Sequence, residues 1–157
     1  MGIRTALGLC TALAALALAG CGGAPVREPT APAAHPGAAE HAAGFALKMV
    51  GRPYRYGGST PAGFDCSGLV QYSYRQAGVK LPRSTEAQLV TGTRVRLSSA
   101  RRGDLLFFDE EGKKKSHVGI YLGDGRFVHA PSSGKHVRTD SLDAAYWKKH
   151  FSEARRI

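Results

Sequence analysis

An α+β fold is what this sequence predicts, with helices first and an antiparallel sheet second. Three observations carry it. Apolar residues recur at helical spacing in the first part of the folded region and alternate in the second. Leu105-Leu106-Phe107-Phe108 is a continuous apolar run, as expected of a strand buried on both faces. Gly123-Asp124-Gly125 separates two alternating segments, as a hairpin turn does. A length of 157 residues suits one domain, and 43% apolar with 22% charged residues is ordinary for a globular chain. Three cysteines allow at most one bridge, which excludes a disulfide scaffold. No apolar run reaches the ~18 residues of a spanning helix.

Taken in order, the chain opens with Arg4 as its only charge before Cys21, followed by an apolar stretch through Ala19. That is the layout of an export signal; a membrane anchor would need a longer stretch. Leu18-Ala19-Gly20-Cys21 resembles the lipobox of bacterial lipoproteins. The resemblance implies cleavage before Cys21 and fatty acyl chains, palmitate among them, on its sulfur and new amino terminus. Cleavage after Ala17-Leu18-Ala19 fits the small-x-small rule as well. Gly22 rather than Asp after the cysteine implies, by the same resemblance, an outer-membrane anchor facing the periplasm. The organisation expected is a signal peptide over residues 1–20, a lipidated N-terminus and flexible linker over 21–43, and one domain over 44–157. The linker expectation rests on its Ala, Pro and Gly content.

Within the domain, a short helix is expected over Ala42–Val50, then a loop broken by Pro53, Gly57 and Gly58. Cys66–Ala77 places Leu69, Val70, Ser73, Tyr74 and Ala77 on one helical face, with Gly78 as the stop. Thr85-Glu86-Ala87-Gln88 has the form of a capping box opening a short helix that Gly92 ends. Strands are expected at Leu105–Phe108, His117–Leu122, Phe127–Ala130, His136–Thr139 and Ala154–Ile157. In the hairpin, a three-residue loop would oppose Leu122 to Arg126 and set His129 across from Gly119. His117, Gly119, Tyr121, Phe127 and His129 then share one face, and Val118, Ile120, Leu122, Val128 and Ala130 the other. A type I turn with Gly125 at positive φ in a bulge would provide that loop.

Cys66 lies where loop becomes helix, facing unpaired N–H groups and the positive end of the helix dipole, which favour a thiolate. Asp65 is a natural N-cap, although its charge beside the sulfur acts the other way. After export and acylation Cys66 would be the one remaining thiol. A thiol nucleophile needs a base and the base an orienting partner. His117 and His129, on adjacent strands, can reach each other; His136 and His150 lie beside Lys135 and Lys149, which suggests solvent. The same three side chains could bind zinc, but no close ligand pair such as His-Glu-x-x-His is present, so no metal is expected. Loss of Arg4 with the signal lowers the net charge from +10 to +9. No basic helix or aromatic platform points to nucleic acid; an anionic wall or membrane surface is the expected attraction.

Pro53-Tyr54-Arg55-Tyr56-Gly57-Gly58, Asp65-Cys66-Ser67-Gly68, Leu81-Pro82-Arg83-Ser84-Thr85, Gly103-Asp104-Leu105, His117-Val118-Gly119-Ile120-Tyr121, Phe127-Val128-His129-Ala130, Tyr146-Trp147-Lys148-Lys149 and Glu153-Ala154-Arg155-Arg156 occur in that order. Together they resemble the NlpC-type family of cell-wall cysteine peptidases, and within it the Spr-like murein endopeptidase lipoproteins. The resemblance implies a papain-like α+β fold with the catalytic cysteine at the start of a central helix. It implies catalysis by Cys66, His117 and His129, with Tyr54 lining the site, peptidoglycan stem peptides as substrate, and no cofactor. Cys66 and His117 would rest as an ion pair. Asp65, Ser67 and Arg83 are candidates for gripping the stem's amine and carboxylates, with capping and loop structure as their other role. Spr-like members imply cleavage of the D,D cross-link. A D,L-endopeptidase, an amidase or acyl transferase on the same triad, and a non-catalytic wall-binding lipoprotein are the alternatives.

Overall fold

The computed structural model describes residues 1–2, 37–110 and 112–157. The expected signal from residue 3 on, Cys21, and the linker as far as residue 36 lie outside the described residues. Helix α1, Ala38–Leu47, begins four residues before the expected Ala42. Ala38, Ala42, Ala43 and Ala46 are its buried side. Alanine-rich composition reads as linker, but alanine is also the best helix former and lets helices approach closely. Here the second property governs, and residues 38–43, which composition assigned to a linker, are helical.

A two-residue hairpin, β1 (Ser59–Thr60) and β2 (Gly63–Phe64), leads into helix α2, Cys66–Gln76. The Asp65 side chain caps α2 by accepting from the Gly68 N–H at 2.7 Å. Leu69, Val70, Ser73 and Tyr74 are buried, as the periodicity requires. Gly68 is needed for close approach: a Cβ there would stand 1.9 Å from the Gly58 carbonyl oxygen. Helix α3, Thr85–Leu89, is capped by Ser84 rather than through a box starting at Thr85. Gln88 is fully buried and turns away from the cap, donating to the Ser67 and Pro82 carbonyls at 2.9 Å each. This ties α3 to the first turn of α2 and frees the Thr85 side chain for another role.

The remaining elements are β3 (Thr93–Val95), β4 (Leu105–Glu110), β5 (Lys113–Gly123), β6 (Arg126–His129), β7 (Arg138–Ser141), helix α4 (Ala145–His150) and β8 (Phe151–Arg156). The six longer strands form an antiparallel sheet in the order β3-β8-β4-β5-β6-β7. The apolar run of β4 divides between two cores, as its alternation demands. Leu105 and Phe107 join Val118, Ile120 and Val128 against α1 and α2. Leu106 and Phe108 join Phe127 and Trp147 of α4 on the other side. No helix among the described residues is long and apolar enough to cross a membrane.

The β5–β6 hairpin has the expected face assignment but a different turn. Ile120 pairs with Val128 and Tyr121 with Phe127, as expected, yet Gly123 pairs with Arg126. The loop is therefore the two residues Asp124 and Gly125, both with positive φ (49° and 69°). The irregularity lies between Tyr121 and Gly123, on β5, rather than after the turn. A two-residue turn with both residues left-handed matches strand twist better than the expected type I turn, and the bulge restores the register. A Cβ on Gly119 would meet the Phe127 ring at 2.7 Å and His129 Cβ at 3.3 Å, so the close packing beside the imidazole depends on this glycine.

Candidate active site

Two groups of side chains make up the site. The first surrounds the start of α2. Besides capping Gly68, Asp65 accepts from the Gly57 N–H at 2.9 Å and pairs with Arg83 through both oxygens, at 2.9 and 2.5 Å. Arg83 also donates to Ser67 Oγ at 2.9 Å. The pairing with Asp65 raises the Arg83 pKa. Asp65, Ser67 and Arg83 thus bind one another, and of the three Arg83 keeps the most exposed side chain, at 38%. Tyr54 is half-buried on the same apolar cluster as Cys66. Burial raises its pKa, and the nearby Cys66 and Asp65 charges raise it further, so its hydroxyl stays a donor.

The Cys66 thiol lies 3.7 Å from the Thr85 hydroxyl, its side-chain hydrogen-bond partner. Burial pushes the thiol above its ordinary 9.0; the Thr85 hydroxyl and the Val118 and Ser67 N–H groups pull it down, and Asp65 pushes it up. The helix-start effect expected from sequence is present, through the Ser67 N–H, but burial outweighs it. Helix α2, which carries Cys66, packs on β5, the strand that carries His117.

The second group is the histidine pair. His117 Nε2 and His129 Nδ1 are 2.8 Å apart, and the rings meet edge to face. Both are buried, at 2% and 0% exposure. His117 stacks on Trp147, whose indole also abuts His129. Burial drives the His117 pKa well below 6.5, and a charge on His129 would lower it further, while Asp140 raises it. His129 is lowered by burial and raised by Asp140. Burial thus pushes the thiol up and the imidazoles down, favouring the neutral forms of both against the expected ion pair.

Four participants were not foreseen. Asp140 Oδ2 lies 3.1 Å from His129 Nε2. Glu110 Oε2 lies 3.3 Å from His117 Nδ1. Thr85 holds the sulfur, and Trp147 covers both rings. Asp140 reaches His129 through the pairing of β6 with β7, where Phe127 faces Asp140 and His129 faces Arg138. Only that register could have pointed to it. A cleft of about 540 Å³ opens beside the pair, lined among others by Glu110, Lys135, Arg138, Asp140, Tyr146 and Trp147. Among the described residues no three His, Cys, Asp or Glu side chains converge as a metal site.

A thiol at the start of helix α2 and a buried histidine pair on strands β5 and β6, on an α+β scaffold, are the side-chain types of a thiol-hydrolase site; the thiol packs with the α2 cluster, and the pair packs against Trp147 on the other side of the sheet. The model of the NlpC/P60 family matches residues 51–156, and the chain belongs to that family. It is 50% identical over 105 residues to the murein DD-endopeptidase MepS/murein LD-carboxypeptidase of Escherichia coli K12, covering 66% of this chain and 55% of that one. Similarity to the murein DD-endopeptidase MepH of the same organism is 39% over 116 residues, covering 71% and 43%. Against the bifunctional muramidase/DL-endopeptidase CwlT of Bacillus subtilis it is 44% over 115 residues, covering 71% and 34%. The alignments thus span only about a third to just over half of these relatives. Among solved structures, the NlpC/p60 domain of the peptidoglycan hydrolase SagA superposes with a TM-score of 0.67 at 36% identity, covering 76% of this chain and 98% of that one.

Proposed function

We propose that the protein is a cysteine endopeptidase that cuts the peptide stems or cross-links of peptidoglycan, tethered in the cell envelope by lipid on Cys21. The observation that carries the reading is the buried His117–His129 pair, hydrogen-bonded at 2.8 Å, on a sheet whose strand β5 packs on the helix that opens with Cys66. In this mechanism the thiol gives its proton to His117 as sulfur attacks the carbonyl carbon of the scissile bond. The Cys66 N–H and the Tyr54 hydroxyl donate to the developing oxyanion, each such donor being worth ~3–4 kcal/mol. His117 then protonates the leaving amine, and water releases the acyl group from sulfur. His129 orients His117, the part an Asp or Asn plays in related triads.

The bond favoured is the D,D cross-link, supported by the names and identities of the two Escherichia coli relatives. Incubation with a defined cross-linked muropeptide dimer should yield two monomers of intact stem length. Shortened stems with the cross-link preserved would assign it instead to D,L cleavage, the activity in the name of the Bacillus subtilis relative.

The lipid reading rests on Leu18-Ala19-Gly20-Cys21, and Gly22 favours an outer membrane with the domain facing the periplasm, where the host has one. Several acyl chains on one residue hold firmly where one would not. Detergent-phase partitioning of the full chain should be lost in Cys21→Ala; a variant that still partitions removes the anchor from this account.

A further inference from the structure

Asp140 Oδ2 accepts from three directions: His129 Nε2 at 3.1 Å, the Arg138 guanidinium at 2.8 and 3.1 Å, and the Trp147 indole N–H at 2.9 Å. These contacts hold its carboxyl well below the usual carboxylate range, with the His129 bond the largest cause. An ionised carboxylate can only accept, so His129 must carry its proton on Nε2. A neutral His129 then presents a bare Nδ1 to His117, 2.8 Å away. His117 must in turn carry its proton on Nε2, which leaves the lone pair on its Nδ1. That is the one ring nitrogen of the pair left with a free lone pair, and it is the base position the proposed mechanism requires. We propose that Asp140 is a positioning residue: through His129 it sets the tautomer in which His117 acts as a base. The inference rests on His117 having that role.

The opposite end of the chain fits the same logic. Glu110 Oε2, 3.3 Å from His117 Nδ1, is ill placed against a lone pair and well placed against an N–H. Asp140, His129, His117 and Glu110 are all satisfied when the two rings share three protons. That is the state produced when His117 takes the proton from Cys66. Burial keeps the resting pair neutral, and the two carboxylates reward the charge as it forms. The basic groups facing the pair are Arg138 and Lys135, both of which oppose that charge on His129.

Asp140→Asn can present an amide N–H to His129 Nε2 and so favours the reverse tautomer. Turnover of the muropeptide dimer should fall about 10- to 100-fold in kcat, short of the ~10⁴-fold seen when a directly bonded triad aspartate is so changed. KM should stay within about twofold, since the changed step is proton transfer. Because Asp140 raises the pKa of both histidines, the acid limb of the kcat/KM profile should move to lower pH in the variant. Nitrogen-15 spectra of the Cys66→Ala protein supply a readout independent of turnover: His117 should be protonated on Nε2 at neutral pH, and the Asp140→Asn change should shift it toward Nδ1. An unchanged tautomer and an unmoved acid limb in Asp140→Asn would overturn the inference. If that variant does not fold, Nδ1-protonated neutral His117 in the Asp140-containing protein overturns it alone. Absence of turnover in the wild type with the expected tautomer would instead count against the peptidase reading.

Discussion

Cys66→Ala should reduce hydrolysis of soluble muropeptides by about 10⁶-fold, the scale of losing a nucleophile whose partners act only through it. The same change should leave the fold almost untouched. Alanine is a good residue for the first turn of α2, and the Asp65 cap and the Asp65–Arg83 pair do not involve the sulfur. The loss is a weak contact with Thr85 and the packing of one small sulfur on the α2 cluster, so the unfolding free energy should stay within ~1 kcal/mol of wild type in a denaturant titration. A variant that unfolds readily would mean that the thiol is a packing element. Cys66→Ser with turnover near wild type would mean that sulfur is not the nucleophile.

Alkylation of Cys66 by iodoacetamide should be slow at pH 7 and rise with pH until above pH 9. The thiol's folded pKa is raised above 9.0, so it keeps its proton up to and beyond that value. His117 and His129 have folded pKa values below 6.5, so they stay neutral down to and beyond that value. Between roughly pH 6.5 and 9.0 the pair is therefore thiol and imidazole, and kcat/KM should show a broad plateau there. An ion pair would hold the thiolate throughout that window. At pH 7 a thiol of pKa 9 is only ~1% ionised, so the two cases differ about 100-fold in reactive fraction. A plateau of alkylation starting below pH 7 would restore the ion pair. The buried neutral histidines also bear on stability: the unfolded chain takes up protons below pH 6.5 where the folded one does not, so stability falls as pH drops through that point.

Residues whose environment is set by near neighbours in sequence were legible. Asp65 before an apolar helical face marks both the cap and the start of α2, and so the position of Cys66. The alternation on either side of Gly123-Asp124-Gly125 was enough to place His117 and His129 together, even though the turn itself is of another type. What alternation cannot tell is which strand lies beyond β6. The segment from residue 130 to 137 is irregular, so the register that sets Asp140 by His129 has no local signature. The spacing of Thr85 fits a cap, yet Ser84 caps the helix and the Thr85 hydroxyl points to sulfur instead. The opposing pull of burial on the Cys66 thiol has no local signature either. A helix start is visible in sequence, whereas the depth at which packing buries the thiol is not.

Digestion of purified sacculi by wild-type protein, before and after alkylation of Cys66, decides whether the thiol is the nucleophile when the products are weighed by mass spectrometry. Untreated protein should release fragments with newly freed stem-peptide amines, and the alkylated protein should release none. Equal release by the alkylated protein, suppressed by a chelator, would contradict it.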